Sequence, residues 1–274
     1  MKAEARGLKN ILRAVALGMA ILLCATGCAA GGGDDKPTGN EGNGGNGGDT
    51  RPMIALTFDD GPHNSRTQKI VDELNKYGYH ATFFVVGNRV DGSEYNGGAA
   101  LQYAVDAGNE IGIHGYTHEV YYNKCTDAEF EDELTRTREA IEQRVPGYQV
   151  KLMRPIGGAI TAERVEACPY SVINWDIDSE DWRYKARGES DELAAGNVDT
   201  IVENVMSQVH EGGIILMHDL YENTYEATVI ILRRLNEQGY RVVTVSELLG
   251  EDMKPGQKYS RAPVAAAPGD KAAE

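Results

Sequence analysis

Eight polar side chains in this sequence have the types and spacing that metal-assisted hydrolysis needs. Each of these aspartates, histidines and one arginine follows a short apolar segment with the composition of a β-strand. The carboxyl ends of parallel strands meet on one face of a barrel or sheet, where α/β enzymes build their active sites. We therefore expect these groups to converge: Asp59, Asp60, His114, His118, Arg154, Asp178, Asp181 and His218.

Two histidines and an aspartate have the chemistry of a metal site. His114 and His118 lie four residues apart, and Gly115 between them allows a loop to bend so that both imidazoles face inward. Two imidazoles and one carboxylate leave a coordination position open, as in hydrolytic zinc centres, and Asp60 is the best carboxylate candidate. An isolated H-x-x-x-H pair is more often a surface or core pair, but the segment Thr57–Pro62 favours a metal site.

The adjacent carboxylates of Asp59 and Asp60 need positive charge nearby. Two ionised carboxylates at the end of a buried strand are costly unless a cation neutralises them. A metal ion and an arginine would do so. The sequence Asp-Asp-Gly-Pro is also favourable turn chemistry, and the two roles are compatible.

Short apolar strands alternate with helical periodicities across residues 51–250. The pair Thr126 and Glu129 forms a capping-box pattern that predicts a helix start. We expect an α/β fold, a distorted (β/α) barrel with about seven parallel strands, because a complete eight-fold barrel typically needs about 250 residues. An open doubly wound sheet is the alternative. The predicted strands are Met53–Phe58, Ala81–Val86, Glu110–His114, Lys151–Met153, Ser171–Trp175, Gly213–Met217 and Arg241–Val245.

Five segments in this order resemble the NodB-type polysaccharide deacetylases, the fourth family of carbohydrate esterases. The resemblance covers residues 51 to about 248. It implies a distorted (β/α) barrel, a divalent metal that is usually Zn²⁺, and removal of acetyl groups from N-acetylated or, less often, O-acetylated sugars. The segments are Thr57–Pro62 (TFDDGP), His114–His118 (HGYTH), Arg154–Gly158 (RPIGG), Asp178–Trp182 (DSEDW) and Ile214–His218 (IILMH).

The resemblance assigns a role to each residue of the metal and general-base side of the site. Asp60, His114 and His118 match the metal ligands. Asp59 matches the general base, and Arg154 matches the arginine that keeps this base ionised and oriented.

On the general-acid side, His218 matches the acid and Asp181 the carboxylate that tunes it. Trp182 and Leu216 match residues that line a small apolar pocket for the acetyl methyl group, and the backbone N–H of Gly157 matches an oxyanion donor.

The sequence departs from the family pattern at two positions. Gly115 stands where a Ser or Thr usually follows the first metal histidine, and Ile156 takes the place of a Pro two residues after the arginine. The second change bears on the oxyanion geometry more than on the metal site.

The ends of the chain differ in composition from residues 51–250. Residues 1–27 combine basic residues with a short apolar run and end before Cys28, which predicts a signal peptide of the lipoprotein type and a membrane anchor through lipid on Cys28. A plain secretory signal cleaved near Ala29 is the alternative. Residues 28–50 predict a Gly/Asn-rich flexible tether, and residues 251–274 a disordered tail. Either signal predicts an extracytoplasmic protein.

We expect a metal-dependent hydrolase that removes N-acetyl groups from a cell-surface glycan, either peptidoglycan or a chitin-like oligosaccharide. The alternatives are an O-acetyl (xylan-type) esterase and an inactive glycan-binding lipoprotein. The net charge of −15 argues against a nucleic-acid partner, and no G-x-S-x-G elbow supports a serine esterase. No protein partner is evident. Whether Cys125 and Cys168 form a disulfide is left open.

Overall fold

The computed structural model describes residues 49–92, 97–184, 194–250 and 253–263. Within these ranges nine short strands form one parallel sheet in the order β6-β7-β1-β2-β3-β4-β5-β9, with β8 also paired to β1. The strands are β1 (Met53–Asp59), β2 (Thr82–Val85), β3 (Glu110–Ile113), β4 (Leu152–Met153), β5 (Ser171–Ile173), β6 (Ile177–Asp178), β7 (Ile214–His218), β8 (Arg241–Val243) and β9 (Lys258–Tyr259).

The sheet curls into a partial barrel, which confirms the predicted distorted (β/α) barrel over the open sheet. Its distortion is visible at β1. The first residues of β1, Met53–Ala55, pair with β8, whereas Thr57–Asp59 pair with β2. The helices are α1 (Arg66–Asn75), α2 (Gly87–Val90), α3 (Gly98–Asp106), α4 (Asp127–Arg144), α5 (Ala162–Ala167), α6 (Ala194–Met206), α7 (Glu222–Glu237) and α8 (Val245–Leu249).

The alternation of side chains along β1 separates the core from the site. Ile54, Leu56 and Phe58 belong to the large core cluster that includes the buried faces of the main helices. Ala55 belongs to a smaller cluster on the other face of the sheet. Because the side-chain period of a strand is two, Asp59 points to the same face as Ala55. Strand β1 therefore places the Asp59 carboxylate on the face of the sheet that carries the smaller apolar cluster.

The predicted start of α4 is confirmed. Thr126 accepts a hydrogen bond from the Glu129 N–H at 3.2 Å, and the Glu129 carboxylate accepts one from the Thr126 N–H at 2.7 Å. This capping box fixes the direction of α4 directly after the loop that carries the two predicted histidine ligands.

The prediction of a disordered tail over residues 251–274 is wrong for residues 253–263. Strand β9 pairs in parallel with β5, and the Ala262 N–H donates to the Gly212 carbonyl at 2.8 Å. The strand in this segment has only two residues, which is too short to show an apolar periodicity in the sequence. Pairing with the free edge of β5 holds the segment in place. Strand β6 was also not predicted, for the same reason of length.

The predicted signal segment (residues 1–27) and nearly all of the tether (residues 28–50) lie outside the described residues. Among the helices that the structure does describe, none is long and apolar enough to cross a bilayer. Cys125 and Cys168 are both free thiols.

Candidate active site

The end of β1 places Asp59 against a fully buried arginine. Arg154 Nη1 donates to Asp59 Oδ1 at 2.8 Å and to the Thr57 hydroxyl at 2.7 Å. The remaining guanidinium nitrogens donate to the carbonyls of Ile173 and Asn174 at 3.2 and 3.1 Å. An arginine with these partners can stay charged in the protein interior. It therefore compensates the charge of Asp59, whose side chain is also buried.

The other oxygen of Asp59 faces the predicted metal ligands. Asp59 Oδ2 lies 3.6 Å from His114 Nε2. Arg154 thus restrains one carboxylate oxygen, while the second faces the predicted metal ligands. The role of Asp59 as a general base remains a prediction.

Asp60, His114 and His118 come together as predicted. Their ligand atoms all lie within 4.8 Å of one another. Asp60 Oδ1 is 3.4 Å from His114 Nε2 and 2.9 Å from His118 Nε2. Burial alone would raise the pKa of Asp60, but the two imidazoles outweigh burial and hold this pKa well below its ordinary value. The carboxylate is therefore ionised, as a metal ligand must be.

The trio fits a divalent cation. Asp60 Oδ1 is buried, and no group among the described residues makes a well-formed hydrogen bond to it. His114 Nδ1 lies 2.9 Å from the Arg154 carbonyl, which can only accept, so Nδ1 carries a proton, and Nε2 is the nitrogen that faces Asp60 and would bind a cation on losing its own proton. One orphaned oxygen and converging imidazole nitrogens are the donor set of a three-ligand metal site with a position left open.

His218 and Asp181 form a second hydrogen-bonded pair. His218 ends β7, and its Nδ1 lies 2.7 Å from Asp181 Oδ1. The fully buried Asp181 also accepts from the His218 N–H at 2.8 Å and from the Thr224 hydroxyl at 2.6 Å. Burial lowers the pKa of His218, but Asp181, together with Asp60 and Asp59, outweighs burial and raises it to about 10. The imidazole is therefore protonated at neutral pH, as a general acid must be.

The residues predicted to bind the acetyl group lie around the same end of the sheet. Leu216 is buried on β7, opposite Thr57 in the register. Trp182 is 42% exposed in the short 3₁₀ turn that also carries Asp181. Gly157 has a left-handed φ of 60° in the turn after Arg154, a conformation that suits glycine. Their roles toward the acetyl group remain predictions.

Asp178 does not join the site. Its carboxylate accepts a hydrogen bond from the Glu180 N–H at 2.8 Å and so shapes the turn that precedes Asp181.

Two threonines that support the site were not predicted from the sequence. The Thr57 hydroxyl accepts from Arg154, and the Thr224 hydroxyl donates to Asp181. Thr57 could have been found from its position two residues before Asp59 on one strand face; Thr224 lies in α7 and carries no local signal.

The comparisons with known proteins agree with this geometry. A family model described as polysaccharide deacetylase matches residues 46–171. The peptidoglycan-N-acetylmuramic acid deacetylase PdaC of Bacillus subtilis (strain 168) is 38% identical over 72% of this chain and 38% of its own length. A peptidoglycan-N-acetylglucosamine deacetylase of Bacillus cereus (strain ATCC 14579) is 34% identical over 72% of this chain and 88% of its own length.

Solved structures are similar as well. A family 4 acetyl xylan esterase from Clostridium thermocellum, solved in complex with a cobalt ion, is 29% identical, with a TM-score of 0.66 over 77% of this chain and 100% of that one. The chain spans only about two fifths of the length of the first curated relatives it matches. With one relative matched at 34% identity over 88% of its own length and the same motifs joined in one site, this chain belongs to the polysaccharide deacetylase family.

Proposed function

We propose that this protein is a metal-dependent hydrolase that removes N-acetyl groups from a cell-surface glycan, either peptidoglycan or a chitin-like oligosaccharide. One observation carries the proposal: Asp59 lies beside the three-ligand set of Asp60, His114 and His118, and a protonated His218 stands opposite Asp59 in the register of β1 and β7. The names of the relatives support peptidoglycan as the substrate.

The mechanism follows from the groups beside the ligand set. Asp60, His114 and His118 would hold the cation, for which we propose Zn²⁺. When bound, this cation supplies Lewis-acid polarisation of the amide carbonyl and acidifies water. Asp59 Oδ2 takes the proton of the attacking water, since Arg154 pairs with the carboxylate and fixes its other oxygen.

The leaving nitrogen of an amide must be protonated before the C–N bond breaks. His218, which stands next to Asp59 on the neighbouring strand β7, supplies this proton, and Asp181 keeps the imidazole charged and oriented. The Gly157 N–H would bind the developing oxyanion, and Trp182 and Leu216 would contact the acetyl methyl group.

The experiment is acetate release by the purified protein from N-acetylated chitooligosaccharides and peptidoglycan fragments. We expect release that a chelator abolishes and zinc restores. Asp59→Asn and His218→Ala should lower kcat by about 100-fold or more while zinc binding persists. Absence of acetate from every N-acetylated glycan with zinc-loaded protein would overturn the proposal and leave the O-acetyl esterase or the inactive glycan-binding lipoprotein. The complete set of base, acid and ligands argues against the latter.

An O-acetyl esterase is the second candidate, because the acetyl xylan esterase shares this fold at 29% identity. Parallel assays with acetylated xylan separate the two. A kcat/KM for xylan that exceeds the value for every N-acetylated glycan would support the esterase.

We also propose that the protein works outside the cytoplasm, anchored to the membrane by lipid on Cys28. The basic and apolar sequence of residues 1–27 supports this proposal. Expressed in a bacterium that processes lipoproteins, the wild type should incorporate a labelled fatty acid and sediment with membranes, and Cys28→Ala should do neither. Equal sedimentation of both forms would contradict the anchor.

A further inference from the structure

The loop between β3 and α4 carries one predicted metal ligand in an uncommon backbone conformation. His118 has a φ of 63°, in the left-handed region that residues with a side chain seldom adopt. Such a conformation persists only where the surroundings hold it. The groups that fix this loop therefore decide where His118 Nε2 lies.

The loop's carbonyl groups are bound from one side. The Gly115 carbonyl accepts from the Gly87 N–H at 3.0 Å, and the Tyr116 carbonyl accepts from the Asn88 N–H at 3.0 Å. These bonds join the loop to the start of α2. They leave the amide groups of the loop to be satisfied from elsewhere.

A single carboxylate of α4 binds the amides. Glu133 Oε2 accepts from the N–H groups of Tyr116 and Thr117 at 2.5 and 3.1 Å, and Glu133 Oε1 accepts from the Thr117 hydroxyl at 2.9 Å. Only 3% of Glu133 is exposed, so water does not replace these bonds. The carboxylate thus restrains the two residues that directly precede His118.

The other side of the loop is closed as well. Gly115 has a φ of 88°, and a Cβ added there would lie 2.9 Å from the Tyr122 hydroxyl and 3.0 Å from Glu133 Oε2. The carboxylate of Glu133 and the hydroxyl of Tyr122 therefore fill the space beside Gly115, so the loop is packed against α4 on this side.

We propose that Glu133 is a positioning residue for the metal site, which acts through the backbone of Tyr116 and Thr117 to set His118 against Asp60. The inference rests on the proposed function, because it requires that Asp60, His114 and His118 bind a cation. Glu133 is not one of the three ligands, and both of its carboxylate oxygens bind the loop; it restrains the conformation in which His118 would bind.

The test measures zinc affinity of the full chain by competition with a chromophoric chelator. Glu133→Ala should weaken zinc binding by about 10-fold or more, the range found when partners that orient metal ligands are removed. It should also change the visible absorption of the cobalt-substituted protein, since the geometry of the ligands changes. Leu134→Ala is the matched control: this neighbour on α4 is buried in the core and makes no hydrogen bond to the loop. It should lower the melting temperature but leave zinc affinity and the cobalt spectrum unchanged.

The outcomes separate this inference from the proposed function. A wild-type protein that binds no zinc refutes the proposed metal site itself. Wild-type zinc affinity and an unchanged cobalt spectrum in folded Glu133→Ala overturn only the role of Glu133, as does an equal loss of affinity in Leu134→Ala. Should Glu133→Ala not fold, Glu133→Asp decides: its carboxylate is one methylene shorter and does not reach the loop amides and the Thr117 hydroxyl as Glu133 does, so a several-fold loss of zinc affinity supports the proposal and an unchanged affinity overturns it.

Discussion

Asp181 binds His218 twice, at the imidazole Nδ1 and at the backbone N–H, with distances of 2.7 and 2.8 Å. The same carboxylate therefore fixes both the ring and the end of the strand that carries it. Asp181 is fully buried beside His218, and its carboxylate raises the pKa of the ring and so keeps it protonated.

Replacement of Asp181 by Asn should move the alkaline limb of the pH profile. A general acid acts while it is protonated, so activity is lost as pH rises through its pKa. The pKa of His218 is raised to about 10, chiefly by Asp181 against the effect of burial. In Asp181→Asn the alkaline limb of kcat/KM should shift to lower pH, toward the ordinary histidine value. Identical alkaline limbs in both proteins would show that Asp181 does not tune the acid.

Removal of Arg154 should cost stability because it leaves Asp59 buried without its partner. Loss of one member of a buried ion pair typically costs about 3–5 kcal/mol, and urea unfolding of Arg154→Met measures it. The double variant Arg154→Met with Asp59→Asn should recover part of this free energy of unfolding without recovering activity. If the double variant is as unstable as the single one, the pair is not the source of the loss.

Asp219 should make stability fall as pH rises. Burial raises its pKa to about 7, against the lowering effect of the Thr67 hydroxyl. The folded chain then binds a proton that the unfolded chain releases near pH 4, so this stabilisation is complete below about pH 4 and is lost as pH approaches and passes 7. The metal-free wild type should lose about 1.4 kcal/mol per pH unit relative to Asp219→Asn between about pH 4 and 7. A pH-independent difference in their free energies of unfolding would contradict this assignment.

The sequence predicted those parts of the site that a strand end or a short loop fixes locally. Asp59 ends a strand with clear apolar alternation, and His114 follows another, so their convergence follows from the pattern of strands alone. The start of α4 was predictable from Thr126 and Glu129 because a capping box is a local pattern.

The missing parts depend on contacts between distant segments. Glu133 is one of several acidic residues on α4, and nothing in the neighbouring sequence distinguishes it; only the packing of α4 against the histidine loop does so. Asp178 illustrates the opposite error, since it stands at a strand end but bonds to the following turn. Strand β9 forms at the free edge of β5. Its two residues are too few to predict a strand from the sequence.

The central claim is that Asp60, His114 and His118 bind one divalent cation together. Its most direct test is the metal content of the purified chain after equilibration with zinc and removal of the excess, measured by elemental analysis alongside His114→Ala and His118→Ala. We expect about one zinc ion per wild-type chain and a large loss of zinc in both folded variants. A wild type without zinc, or variants that retain it fully, would contradict binding of the cation by these three residues.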